Sequence, residues 1–217
     1  MTIHLPFWIP IHTVLATNQK TIKSVFFILY LLGFLGIGFG FFLFNSNLEL
    51  YVTLAELATK FGTISLYLFL LTLVPGILQR LNVVVLLSTS VVLFRRQIGI
   101  VMYILALLHS FYLSIIPQVM TSDLRLQNFA TREIYGLIAI LILFPVWITS
   151  NDVSQKKFGR FWKSIQRLTY IAMFFIYLHV AAIEKSAQLL TAIVILLEII
   201  SWIKIWLRRP TRTNLTS

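Results

Sequence analysis

Two histidines within long apolar segments are the residues of this chain best suited to chemistry. His109 lies in a run of about twenty residues without a charged side chain, which follows Arg95 and Arg96 and ends at Pro117. His179 lies in a second apolar run nearer the end of the chain. An ionisable ring is costly in hydrocarbon unless it has a partner, so a histidine inside a membrane-spanning segment predicts a functional site.

The two histidines are predicted to lie at the same depth in the membrane. His109 comes thirteen residues after Arg96, and His179 comes twelve residues after Arg167. These separations correspond to about 20 Å and about 18 Å along an α-helix. The two helices run in the same direction because one further span separates them. We therefore expect the imidazole rings to meet in the outer half of the bilayer.

Two imidazoles that face each other inside a helix bundle match the axial ligands of a six-coordinate b-type haem. The chain has no cysteine, which excludes c-type haem attachment, thiolate-held iron–sulfur clusters and disulfides. Two alternatives to the haem interpretation remain open from the residues alone. The rings could form hydrogen bonds between helices in an assembly subunit, or they could relay protons with Glu198 in a small transporter or channel subunit.

The composition predicts an all-α integral membrane protein. Of the 217 residues, 59% are hydrophobic and 12% are charged, whereas soluble domains are about 25% charged. We expect six spans in a single membrane domain over residues 25–207, between an interfacial segment at 1–24, which includes Trp8, His4 and His12, and a basic tail at 208–217. The expected spans are about 25–44, 61–78, the His109 segment, 134–148, 165–183 and 187–207.

The sequence predicts the structure of two segments that connect the spans. A short loop with Glu49 and Glu56 is expected between the first and second spans. Residues 81–94 are apolar but are too few to cross a bilayer core of about 30 Å. We expect them to form a separate re-entrant or interfacial segment before the His109 helix.

The distribution of positive charge predicts the orientation of the chain. One face of the six-span arrangement holds thirteen basic residues and the other holds four. The thirteen are Lys20, Lys23, Arg80, Arg95, Arg96, Lys156, Lys157, Arg160, Lys163, Arg167, Arg208, Arg209 and Arg212, and the four are Lys60, Arg125, Arg132 and Lys185. Basic residues remain on the cytoplasmic side, so both termini are expected there, in a cytoplasmic (inner) membrane. The net charge of +11 is thereby explained without nucleic acid.

Four short motifs resemble the ferric-reductase-like transmembrane family, which includes the MsrQ haem-binding membrane subunits. The resemblance covers about residues 62–185. Its motifs are LTLVPG at Leu71–Gly76, RRQIG at Arg95–Gly99 followed by Leu108 and His109, TSND at Thr149–Asp152, and WKSIQRLTY at Trp162–Tyr170 followed by Leu178 and His179. The resemblance implies a b-type haem held by His109 and His179, and electron transfer from a cytoplasmic flavin or NAD(P)H source to an acceptor on the outer side.

The chain departs from the family pattern at Gln166. MsrQ-like members carry a further histidine in the corresponding element, and glutamine is a poor iron ligand, so one haem is expected. Electrons would then need another carrier on the inner side, for which FMN or FAD is the candidate. Its anionic phosphates would bind the positive surface formed by Arg95, Arg96, Lys163 and Arg167. Because the chain lacks a Gly-x-Gly-x-x-Gly fingerprint, a separate reductase is expected as the donor.

Overall fold

The described part of the chain is helical throughout, apart from one short strand pair. The computed structural model describes residues 2–3, 13–15, 17–121 and 125–207. The helices are α1 (Gln19–Ser46), α2 (Leu48–Arg80), α3 (Leu86–Ser110), α4 (Ile116–Met120), α5 (Thr131–Ile148), α6 (Asp152–Phe158), α7 (Arg160–Gln166), α8 (Leu168–Ala181) and α9 (Lys185–Leu207). A π-helical turn occupies Phe111–Ile115, a 3-10 turn occupies Leu126–Asn128, and strands β1 (Thr2–Ile3) and β2 (Val84–Val85) pair in parallel. The predicted all-α class is confirmed.

Five helical segments within the described residues are long and apolar enough to cross a membrane, so the protein is an integral membrane protein. They are Gln19–Ser46, Leu48–Arg80, Val91–Met120, Thr131–Ile148 and Lys185–Leu207. The predicted fifth span, about 165–183, corresponds to α8, which has 14 residues. Its rise is about 21 Å, less than the bilayer core of about 30 Å. The six-span count and the cytoplasmic placement of both termini therefore remain predictions.

Two expected connections are part of helices instead. Glu49 and Glu56 lie within α2, which begins directly after Asn47, so the prediction of a loop there was wrong. The Asn47 side chain accepts a hydrogen bond from the backbone N–H of Leu50 and caps the new helix. Residues 86–94 belong to α3, the same helix that carries His109, so they are not a separate interfacial segment.

Several predictions concern residues outside the described part of the chain. They include most of the segment at 1–24, with Trp8, His4 and His12, and the basic tail at 208–217. Helix α1 begins at Gln19, within the segment that was predicted to be interfacial. The division of the chain into these three segments remains a prediction.

The helices pack so that each histidine-bearing helix has a partner along its length. Helix α2 packs along α3, and α5 packs along α8. Helices α3 and α5 also touch, α9 contacts α2 and α8, and α1 packs on α3. On α1, Gly33 and Gly40 are buried and allow close contact with Ile104 and Tyr112. The two helix pairs therefore face each other, with the histidines between them.

The end of α3 is shaped by a π-helical turn directly after His109 and Ser110. The hydroxyl of Tyr51 on α2 donates a hydrogen bond of 2.6 Å to the carbonyl of Tyr112 in this turn, and the two rings stack. The Tyr112 hydroxyl in turn donates to the carbonyl of Gly36 on α1. A helix continues through Pro117 to Met120, where the sequence predicted an end. These bonds hold three helices together just beyond His109.

Candidate functional site

The two histidine rings lie together, as the depth argument predicted. Their ring centres are 6.2 Å apart, and the ring planes are inclined at 83°. Both residues are half-buried and line a cavity of about 500 Å³ between the two helix pairs. The cavity walls are mostly apolar, and charged side chains of Arg132, Glu133 and Glu184 also line it. A volume of this size is in the range of small-molecule and cofactor sites.

Each ring is held by one hydrogen bond to the backbone of the partner helix. The Nδ1 atom of His109 lies 2.9 Å from the carbonyl oxygen of Ala58 on α2. The Nδ1 atom of His179 lies 2.7 Å from the carbonyl oxygen of Arg132 on α5. A carbonyl oxygen can only accept, so each Nδ1 must carry the proton and donate it. In the neutral ring, the lone pair is then on Nε2, which is the arrangement of a metal-ligating histidine.

The geometry of the rings fits two ligands on one metal ion. Two imidazoles on opposite sides of one metal ion place their ring centres about 6 Å apart, since each metal–nitrogen bond is about 2.0 Å and each coordinating nitrogen lies about 1.1 Å from its ring centre. The observed separation is 6.2 Å. Among the described residues, no group of three or more His, Cys, Asp or Glu side chains could hold a metal ion. Two imidazoles on one six-coordinate ion leave four positions open, which is the number of nitrogens that a haem macrocycle offers.

A second, larger cavity contains all four of the predicted flavin-binding cations. Its volume is about 780 Å³, and the side chains of Arg95, Arg96, Lys163 and Arg167 line it. Five aromatic residues also contribute to its walls: Phe69, Tyr103, Trp147, Trp162 and Tyr170. Flat apolar surfaces beside several cations suit a planar, anionic ligand.

Polar contacts at this cavity organise part of its wall. Gln166 lines the cavity and donates to the carbonyl of Val146 at 3.3 Å. Arg96 forms an ion pair of 2.7 Å with Asp152, and this hydrogen bond from the guanidinium lowers the pKa of the Asp152 carboxyl. Asp152 therefore stays ionised at neutral pH. The Gln97 side-chain oxygen is buried at the cavity without a hydrogen-bond partner among the described residues.

Three buried side chains separate the two cavities. Phe69, Met102 and Leu143 line both of them, and each is at most 7% exposed. Near this wall, the hydroxyl of Ser65 donates to the carbonyl of Met102 at 2.9 Å and ties α2 to α3. Because these three apolar side chains line both cavities, the cavities are close neighbours.

Glu198 does not belong to the histidine cavity. It is 3% exposed and forms an ion pair with Arg80, the last residue of α2. Arg80 also donates to the Ser201 hydroxyl at 2.8 Å and lies over the ring of Trp202. The partner of Glu198 could not be named from the sequence. Because Glu198 does not line the cavity that contains the rings, the structure does not support a proton relay that joins it to the histidines.

Comparisons with known proteins are consistent with this geometry. The sequence profile described as "Ferric reductase like transmembrane component" matches residues 61–177, just over half of the chain. The protein-methionine-sulfoxide reductase heme-binding subunits MsrQ of Brucella ovis and Brucella canis are each 30% identical to the chain over 82 residues, and that of Brucella anthropi is 29% identical. The matched stretch spans 37% of this chain and 37% of each relative. No solved structure matches the chain.

Proposed function

Because this chain belongs to the ferric reductase like transmembrane component family, we propose that it transfers electrons across a membrane by means of one b-type haem held by His109 and His179. The observation that carries the proposal is the pair of imidazoles at 6.2 Å, each anchored through Nδ1 to a backbone carbonyl. When bound, a b-type haem supplies one-electron redox chemistry. His109 and His179 would hold its iron, and the carbonyls of α2 and α5 fix the orientation of their rings.

The two carbonyl contacts adjust the ligands as well as orienting them. An imidazole that donates its Nδ1 proton to a carbonyl is a more basic ligand at Nε2. Greater basicity stabilises the oxidised metal, and the apolar walls of the cavity limit the access of water. Ala58 and Arg132, through their carbonyl groups, thus take part in setting the redox potential.

The cationic cavity supports a flavin as the source of electrons on the inner side. We propose that Arg95, Arg96, Lys163 and Arg167 bind the phosphate of FMN or FAD, and that the aromatic walls accept the ring system. Gln166 offers an amide at the place where other members have a histidine, so the site suits a hydrogen-bonding ligand better than a second haem. The apolar wall of Phe69, Met102 and Leu143 lies between the proposed flavin and the histidines.

The donor and acceptor are proposed by chemical class. A separate cytoplasmic reductase would supply electrons from NAD(P)H to the flavin. The acceptor is an outer-side redox partner. The relatives' name, heme-binding subunit of a protein-methionine-sulfoxide reductase, makes a methionine sulfoxide reductase the first acceptor to test. The protein would lie in the inner membrane with both termini in the cytoplasm, and α8 would be the sixth span.

Electron transfer across sealed vesicles tests the function and the flavin site together. The purified protein is reconstituted into liposomes that contain ferricyanide, and reduced FMN is supplied outside. We expect ferricyanide reduction that depends on the protein. Loss of one charge-assisted phosphate contact in Arg95→Gln or Lys163→Gln should raise the FMN concentration for half-maximal rate about tenfold or more, from a contribution of about 1.5–3 kcal/mol.

The matched control is Lys157→Gln, which removes an exposed cation on the same side that does not line the cavity. It should behave as the wild type does. Empty liposomes give the background rate. Equal FMN dependence in all three variants would contradict the flavin site, and a rate no greater than that of empty liposomes would contradict electron transfer.

A further inference from the structure

We propose that Gly62 and Gly136 are positioning residues, each of which makes room for one imidazole ring against the partner helix. The inference rests on the proposed function in taking His109 and His179 as haem ligands. The direct contact between each glycine and one ring does not depend on that function. Neither glycine was singled out by the sequence, because neither is at a turn or in a glycine-rich motif.

Gly62 lies on α2 directly beneath the ring of His109. A Cβ atom added to Gly62 would lie 2.6 Å from Nδ1 and 2.7 Å from Cε1 of His109. Favourable contacts between such atoms are about 3.5–4.0 Å. The three nearest atoms to that Cβ all belong to the His109 ring. Any other residue at position 62 must therefore displace the ring.

Gly136 stands in the same relation to the other ring. A Cβ atom at Gly136 would lie 2.9 Å from Nδ1 and 3.1 Å from Cε1 of His179. Gly136 is on α5, and its closest neighbours again belong to a single imidazole. Glycine lowers helix propensity in the interior of a helix. Glycine occurs inside both α2 and α5 because a larger residue would leave no space for the facing imidazole ring.

The two contacts have the same spacing along the helix. We call each pair of an accepting carbonyl and a glycine, Ala58 with Gly62 and Arg132 with Gly136, a carbonyl–glycine seat. In each, the glycine follows the accepting carbonyl by four residues. The carbonyl of residue i in an α-helix accepts the N–H of residue i+4, and its oxygen has a second lone pair. The imidazole Nδ1–H donates to that second lone pair, so the ring approaches the same face of the helix at residue i+4, where a Cβ would stand.

Alanine in place of Gly62 or Gly136 is expected to disturb the histidine ring that the glycine faces. The ring must tilt away from the partner helix, which lengthens or breaks the Nδ1 hydrogen bond and moves Nε2. Loss of such an outer hydrogen bond lowers metal affinity about 10–100-fold. It also makes the imidazole less basic, so the midpoint potential should become more positive. A glycine that served only helix packing would change neither quantity.

The test compares purified haem-loaded proteins. We would measure the rate of haem transfer to excess apomyoglobin and the midpoint potential for Gly62→Ala and Gly136→Ala. The expected result is transfer about 10–100-fold faster than in the wild type, with a more positive potential. Gly38→Ala is the neutral control, since a Cβ there has no neighbour within 4 Å among the described residues.

A second control separates positioning from packing. In Gly33→Ala the new Cβ would overlap the side chain of Ile104, so this variant has a clash that involves no histidine. It should lower thermal stability while the potential stays at the wild-type value. Two outcomes would contradict the seat and leave the haem assignment intact. Gly62→Ala and Gly136→Ala could lower only thermal stability, as Gly33→Ala should, or they could keep the wild-type stability, haem transfer rate and potential, as Gly38→Ala should.

A double-variant cycle needs no haem. With the ring removed in His109→Ala, the Cβ of alanine at position 62 has space. Gly62→Ala should therefore lower the melting temperature of the otherwise wild-type protein but not that of His109→Ala. An equal decrease in both backgrounds would overturn the inference. If the wild-type protein binds no haem, the cycle still tests the contact between Gly62 and the ring, so failure of the seat and failure of the proposed function are distinguishable.

Discussion

Alanine in place of either His109 or His179 is expected to lower the haem content of the purified protein by about tenfold or more. Removing only an outer hydrogen bond to a metal ligand commonly costs 10–100-fold in affinity, and removal of the ligand itself should cost at least as much. Any haem that remains would have one protein ligand and lose the spectrum of a six-coordinate b-type haem. Haem per chain, measured as the pyridine haemochrome, gives the result directly.

The matched control for this prediction is Phe174→Leu on α8. Phe174 is on the same helix as His179 but is 55% exposed on its outer surface, so the substitution should leave the haem content unchanged. Each histidine is expected to have a similar effect because the two rings are held alike. Full haem content in either histidine variant would show that the pair is not the ligand set.

Glutamine in place of Glu198 is expected to lower the free energy of unfolding by about 3–5 kcal/mol, the cost of breaking a buried ion pair by removing one partner. The Arg80 and Glu198 side chains are 15% and 4% exposed. Without the carboxylate, the guanidinium of Arg80 would retain Ser201 and the Trp202 ring but no counter-charge. Unfolding in mixed micelles of mild detergent and dodecyl sulfate, followed by circular dichroism, measures the change.

Two controls define the origin of that effect. The double variant Arg80→Met/Glu198→Leu replaces the pair with apolar side chains and should recover most of the stability. Asp152→Asn removes the exposed ion pair with Arg96 and should change stability little, since such pairs are screened by solvent. Wild-type stability in Glu198→Gln would mean that the pair does not hold α2 to α9.

The meeting of the histidines could be predicted because helical rise is regular. The separations from Arg96 to His109 and from Arg167 to His179 are nearly equal, so the two rings reach similar depths when the two helices have similar tilts. The gathering of Arg95, Arg96, Lys163 and Arg167 at one end of the helices could also be predicted, since positive residues collect on one side of membrane helices. Their convergence on one cavity is a matter of packing, and the sequence indicated it only through the family resemblance.

The helix boundaries were predicted less well, for a physical reason. Apolar length identifies the part of a helix that crosses lipid, but hydrogen bonding continues beyond it. Helix α2 extends back to Leu48 through Glu49 and Glu56, and α3 begins at Leu86, nine residues before Arg95. Polar or basic residues in these extensions ended the predicted spans although the backbone remains helical.

The contacts that complete the site depend on relations between helices that the sequence does not display. Residue type could not identify Ala58 and Arg132 as the hydrogen-bond acceptors of the rings, because every residue has a backbone carbonyl. Glu198 and Arg80 are 118 residues apart, and nothing local pairs them. Gly62 and Gly136 each lie four residues after an accepting carbonyl. That spacing can be recognised as significant only when the histidine that faces it is known.

The most direct test of the central claim is the visible absorption spectrum of the wild-type protein, purified in detergent from haem-replete cells, before and after reduction with dithionite. We predict one haem per chain, with the sharp reduced bands of a six-coordinate b-type haem. A colourless protein, or a haem whose spectrum shows only one nitrogen ligand from the protein, would contradict the assignment of His109 and His179.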